Sequence, residues 1–179
     1  MTIFLSGGAK NGKSSLAQDL AVRISGDRPR YYVATMIPVD EEDRCRIRRH
    51  VADRSGLDFQ TVECGRNILS CLEGLDRRGT FLLDSVTALL MNEMFSDDGD
   101  VDFLAGERCA SDLTAFISAV ENAVIVSDAI YADAAQYDEI TELYRFSLAE
   151  ADRACARACD TVIEMVAGQP IIYKGGLPE

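Results

Sequence analysis

Short β-branched apolar runs alternate along this chain with segments whose apolar residues recur every three or four positions. TIFLS, residues 2–6, reads as a strand, and residues 12–24 carry Leu16, Leu20 and Ile24 at helical spacing. RYYVAT (30–35) reads as a second strand. DEEDRCRIRRHVADR (40–54) reads as a polar helix with acids at its start and bases towards its end, in the sense the helix dipole favours. DFQTVE (58–63) is a weak strand, NILSCLEGL (67–75) a short helix, and TFLLDS (80–85) a strand of buried type followed by the helical VTALLMNEMF. The acidic stretch 96–107 reads as a solvated loop, with a helix over about 107–120 and the strand AVIVSD after it.

From Tyr137 to Cys159 the pattern predicts a long helix, with Ile140, Leu143, Phe146/Ser147 and Ala151 on the side covering a sheet. TVIEMVAGQPIIYK (161–174) predicts two strands around a tight turn at Gly168–Pro170. Alternating strands and helices predict an α/β fold: a mostly parallel, doubly wound sheet with helices on both faces and a C-terminal antiparallel hairpin. Residues 1–179 are expected to form one domain, long enough for its own core.

The turn between the first strand and helix narrows the class. Gly7-Gly8-Ala9-Lys10-Asn11-Gly12-Lys13-Ser14 satisfies GxxxxGK[ST] at every required position, which predicts a P-loop NTPase-like nucleotide-binding domain. Glycines let successive N–H groups turn onto phosphate oxygens, and the helix N-terminus adds partial positive charge. Lys13 is expected to reach the β- and γ-phosphates and Ser14 to ligate Mg2+. Asp84 closes TFLLD, where a doubly wound sheet brings strand ends to the ligand crevice. It can orient a metal-bound water or a substrate there, or merely cap the next helix.

Composition then excludes some partners. A net charge of −12 disfavours nucleic acid and anionic membranes, and no apolar run approaches the roughly 18 residues that span a bilayer. With no export signal, a cytoplasmic location with six free cysteines is expected. One histidine and no CxxC argue against a zinc site. The basic residues are instead concentrated, five arginines lying between Arg44 and Arg54. On a helix Arg46, His50 and Arg54 share one face, so the single histidine sits among donors for phosphate oxygens. That set suits a nucleophile attacking phosphorus, or a phosphate contact without covalent chemistry.

GGAKNGKS, YVAT, EDRCRIRRHVADR, FQTVE and LLDSVTALLMN, in this order and spacing, resemble the bifunctional adenosylcobinamide kinase / adenosylcobinamide-phosphate guanylyltransferase family of cobalamin synthesis, over nearly the whole chain. The resemblance implies two reactions. A nucleoside triphosphate, ATP or GTP, phosphorylates the aminopropanol hydroxyl of adenosylcobinamide; a histidine then takes GMP from GTP and passes it to the new phosphate. It implies His50 as nucleophile, nucleotide contacts from residues 7–14, Ala34, Thr35, Arg46, Arg54, Glu63 and Asp84, and a homotrimer.

The chain departs from the family pattern in several places. Asp84 stands for a usual Glu, Phe59 for Trp, and Asp128-Ala129-Ile130-Tyr131 for Asn-Glu-Val-Gly. Around Arg145, Phe146, Ala149 and Asp152 replace Asp, Gly and Asn. These changes leave open a remodelled corrinoid pocket, a kinase that has lost guanylyl transfer, or a nucleotide-binding paralogue without catalysis.

Overall fold

The computed structural model describes residues 1–96 and 98–178, with only the backbone of Arg46 and Asp53. Its strands are β1 (Thr2–Gly7), β2 (Arg30–Ala34), β3 (Phe59–Glu63), β4 (Thr80–Asp84), β5 (Asn122–Val126), β6 (Thr161–Val166) and β7 (Gln169–Lys174). Its helices are α1 (Lys13–Ser25), α2 (Glu41–Asp53), α3 (Val86–Met94), α4 (Ala105–Ala119) and α5 (Glu139–Ala158). The seven strands form one sheet in the order β3-β2-β4-β5-β1-β6-β7. Every neighbouring pair is parallel except β6–β7, the C-terminal hairpin.

Alternation along the strands builds two cores. Ile3, Leu5, Tyr32, Leu82, Val124 and Val126 point to the face covered by Ala17, Leu20 and Ala21 of α1. Their neighbours Phe4, Tyr31, Val33, Phe81, Leu83 and Ile125 point to the other, where α3, α4 and α5 pack. Helices on both faces explain why β4 and β5 read as continuous apolar runs. Phe81 is fully buried between Tyr31 (ring centroids 4.8 Å apart) and Phe116 (5.8 Å). Burial of one such side chain contributes about 2–3 kcal/mol.

Three expectations are corrected. α5 buries Ser147 and Ala151 of the expected side and packs Leu143 on the core, but leaves Ile140 and Phe146 43% and 62% exposed. It buries Tyr144, Ser147, Leu148, Ala151 and Cys155 against α3 and α4, and the polar Arg145 and Asp152 as well. The apolar pattern sets that face slightly out of phase because its two ionisable members are buried against the loop that follows β5. The segment 67–75 holds only a short 3₁₀ helix, Ile68–Leu72. Finally, α4 begins at Ala105, inside the stretch expected to be loop: Asp102 accepts a 2.9 Å hydrogen bond from Leu104 N–H and pairs with Arg108, nucleating the first turn.

Candidate active site

The parallel strands end together, and the phosphate-binding loop grows out of β1 at that edge. Gly7 leaves the strand at φ 143°, and a Cβ there would stand 2.6 Å from the Met165 carbonyl oxygen of β6. Gly12, at φ 84°, delivers the chain into α1 without a side-chain cap, so the first helical N–H groups face outward. Asn11 Nδ2 donates to the Met165 carbonyl at 3.2 Å and pins the loop to the sheet edge. Gly8, Ala9, Lys10 and Gly12 remain exposed. Lys13 folds back under them: its ammonium donates to the Gly8 carbonyl at 2.6 Å and pairs with Asp128 Oδ1 at 2.7 Å.

β4 supplies the acid opposite the loop. Asp84 Oδ2 accepts a 2.8 Å hydrogen bond from Tyr32 Oη and a longer one, 3.4 Å, from Ser14 Oγ. The same oxygen is 3.9 Å from His50 Nδ1, a charge-pair distance rather than a hydrogen bond. One carboxylate therefore joins the loop, β2 and α2. Burial, then Asp84, raises the Tyr32 phenol well above its ordinary pKa, so it serves as a fixed donor.

Asp40 caps α2, its Oδ1 accepting Asp43 N–H at 2.9 Å, and acids fill the first turn. A cavity of 510 Å³ opens between α2 and the ends of β2, β3 and β4. His50 and Arg54 line it, as do Arg44 and Arg48 one turn away, with Ala34, Glu63 and Asp84 on the sheet side. Arg54 is buried: its guanidinium lies over the Tyr32 ring (3.9 Å to the centroid) and donates to Thr61 Oγ1 at 3.0 Å. The Arg46 side chain lies outside the described part of the structure.

Thr35 takes a different place from the one the resemblance implies. It is fully buried; its hydroxyl accepts Ser85 N–H at 2.7 Å and donates to the Ser85 carbonyl at 2.8 Å. Asn92 Nδ2 closes the clamp by donating to the Thr35 and Gly65 carbonyls, both at 2.8 Å. Thr35 thus fixes the strand end that presents Asp84 and does not line the cavity.

Sequence reasoning does not single out Tyr32, Asn92 or the Lys13–Asp128 pair as parts of the site. Tyr32 is hidden by Tyr31 beside it: alternation sends one ring to the core and the other to the site, and the pair alone does not say which. No group of three or more His, Cys, Asp or Glu residues arranged for a metal occurs among the described residues, and none of the described helices is long and apolar enough to cross a membrane.

The chain is similar to known proteins over nearly its whole length. The Salmonella typhimurium bifunctional adenosylcobalamin biosynthesis protein CobU is 27% identical, over 97% of this chain and 100% of its own. The bifunctional adenosylcobalamin biosynthesis protein CobP of Pseudomonas aeruginosa is 31% identical, over 98% of each. A solved KaiC-like protein of Pyrococcus horikoshii, 11% identical, superposes with a TM-score of 0.51 over 97% of this chain and 79% of that one. A solved ATPase domain, also 11% identical, does so with a TM-score of 0.52 over 97% of this chain and 76% of that one, and the fold is P-loop NTPase-like. The model of the family described as cobinamide kinase / cobinamide phosphate guanyltransferase matches residues 3–172, and the chain belongs to that enzyme family.

Proposed function

We propose that this protein carries out both reactions of its family on one nucleotide-binding crevice. In the first, the aminopropanol hydroxyl of adenosylcobinamide attacks the γ-phosphorus of ATP or GTP, and the nucleoside diphosphate leaves. In the second, a ring nitrogen of His50 bonds to the α-phosphorus of GTP and pyrophosphate leaves. A phosphate oxygen of adenosylcobinamide phosphate then attacks the same phosphorus, the P–N bond breaks, and adenosylcobinamide-GDP is released.

The observation that carries this reading is the position of Asp84, 3.4 Å from the phosphate-loop serine and 3.9 Å from His50. A carboxylate facing Nδ1 favours the tautomer protonated there and leaves Nε2 free to attack. Arg54 and the α2 arginines supply donors for phosphate oxygens, and Glu63 offers an acceptor to the base or ribose. The Ser14 hydroxyl and the Asp84 carboxylate are hard oxygen donors and fit Mg2+, directly or through water. Bound there, the cation would neutralise charge on the phosphates. A cytoplasmic homotrimer completes the reading.

The test is to incubate the chain with adenosylcobinamide, GTP and Mg2+ and to weigh the products. Adenosylcobinamide phosphate followed by adenosylcobinamide-GDP is expected. A product that stops at the phosphate would leave a kinase, and no product would remove both activities.

A further inference from the structure

The cavity wall that carries Glu63 has little support from the sheet. β3 is an edge strand, bonded to β2 alone, and its side chains are half-buried or exposed. The ladder to β2 ends with the pair Ala34–Glu63 and one further bond, from Cys64 N–H to the Ala34 carbonyl at 2.9 Å. Beyond that point, among the described residues, no backbone hydrogen bond joins the two chains. Asn92 of α3 makes the next connection. The two N–H groups of its amide go to the carbonyls of Thr35 and Gly65, each at 2.8 Å, so one planar group spans the two strand ends.

Asn92 does not line the cavity, whereas Ala34, Glu63, Cys64 and Gly65, on either side of its bridge, do. A Cβ on Gly65 would collide with Ile37 and stand 3.3 Å from Asn92 Nδ2, so Gly65 lies pressed between the amide and a cavity-lining side chain. α3 gives the amide a firm base, with Leu89, Leu90 and Met94 buried. Its Asn92 carbonyl accepts from Arg66 Nε at 2.7 Å, and its Glu93 carboxylate accepts from Asn67 N–H at 2.6 Å. Those two bonds keep residues 66–67 in place without the amide, so losing the amide loosens the cavity rim and leaves the fold. Glu63 stands two strands from Asp84, about 10 Å across the sheet. A triphosphate seated on Lys13 and Ser14 beside Asp84 therefore meets Glu63 only through its nucleoside end.

Resting on the nucleotide crevice of the proposed function, we infer that Asn92 is a positioning residue for the nucleoside. Its amide fixes the spacing between the Ala34 and Glu63 walls, and it touches no substrate atom itself.

The test is calorimetric titration of wild type and Asn92→Leu, which matches the shape and removes both donors, with GTP and separately with tripolyphosphate. GTP carries the nucleoside, while tripolyphosphate reports the phosphate loop and the folded fraction. The GTP Kd is expected to rise about tenfold, the worth of one to two neutral hydrogen bonds, and the tripolyphosphate Kd to stay as in wild type. A residue that only supports the fold would lower the binding stoichiometry of both ligands and leave both Kd values in place. That result, an unchanged GTP Kd, or an equal loss for both ligands overturns the inference alone. Asn92→Ser, too short to span both carbonyls, carries the same comparison if the leucine variant does not fold. A wild type that binds no GTP overturns the proposed crevice and this inference with it.

Discussion

The phenol of Tyr32 donates a 2.8 Å hydrogen bond to Asp84 Oδ2, the oxygen that also faces Ser14 and His50. Tyr32 sits on β2 and Asp84 on the adjacent β4, so the sheet itself sets the distance between them. This contact is shorter than those of Asp84 to Ser14 and His50, and the pair holds the acid between the loop and α2. Removing the hydroxyl in Tyr32→Phe is expected to cost about 1–2 kcal/mol of stability in urea denaturation. It should also slow guanylylation of His50, because the carboxylate that faces the ring loses its anchor.

Thr35→Val tests the clamp behind Asp84. Valine fills the same buried space but leaves the Ser85 N–H without its partner, while the Ser85 carbonyl keeps the Leu89 N–H. Loss of about 2–3 kcal/mol is expected, measured by denaturant midpoint. Nucleotide affinity should fall less for this variant than for a cavity-lining change such as Glu63→Ala.

Arg54→Lys keeps the charge and loses the planar fork. The stack on Tyr32 and the bond to Thr61 both depend on guanidinium geometry. A stability loss of about 1–2 kcal/mol and weaker GTP binding in a fluorescence titration are expected together.

Asp152 gives the chain a pH dependence of known sign. Burial raises its carboxyl from 3.8 to about 6, against the lowering effect of the Ser127 and Tyr131 hydroxyls. Between those values the folded chain holds a proton that the unfolded chain releases, so this group's contribution to stability falls as pH rises through the window. Asp152→Asn still accepts the Tyr131 hydrogen bond and never ionises. It should be more stable than wild type above pH 6, by up to about 3 kcal/mol, with the difference closing towards pH 4. Urea titrations at both pH values check this.

The elements that carry a strong local signature are legible in the sequence. GxxxxGK[ST] needs glycines at set positions, and Gly7 and Gly12 occupy the backbone conformations that explain them. The parallel strands declare themselves because both faces are covered. His50, Arg54 and Asp84 line one cavity because helix phase and strand ends place them there. What stays hidden depends on contacts between distant segments. Thr35 reads like a ligand contact until Ser85, 50 positions on, takes its hydroxyl. Arg145 and Asp152 look like solvent-facing residues until the loop after β5 folds over them.

The central claim is that the imidazole of His50 becomes covalently guanylylated, and intact-protein mass spectrometry after incubation with GTP and Mg2+ tests it most directly. A mass increase of one GMP is expected, localised to His50 by peptide mapping, lost in acid as a phosphoramidate is, and missing in His50→Ala. A wild-type protein that binds GTP yet acquires no adduct, or one whose adduct persists in His50→Ala, would contradict it.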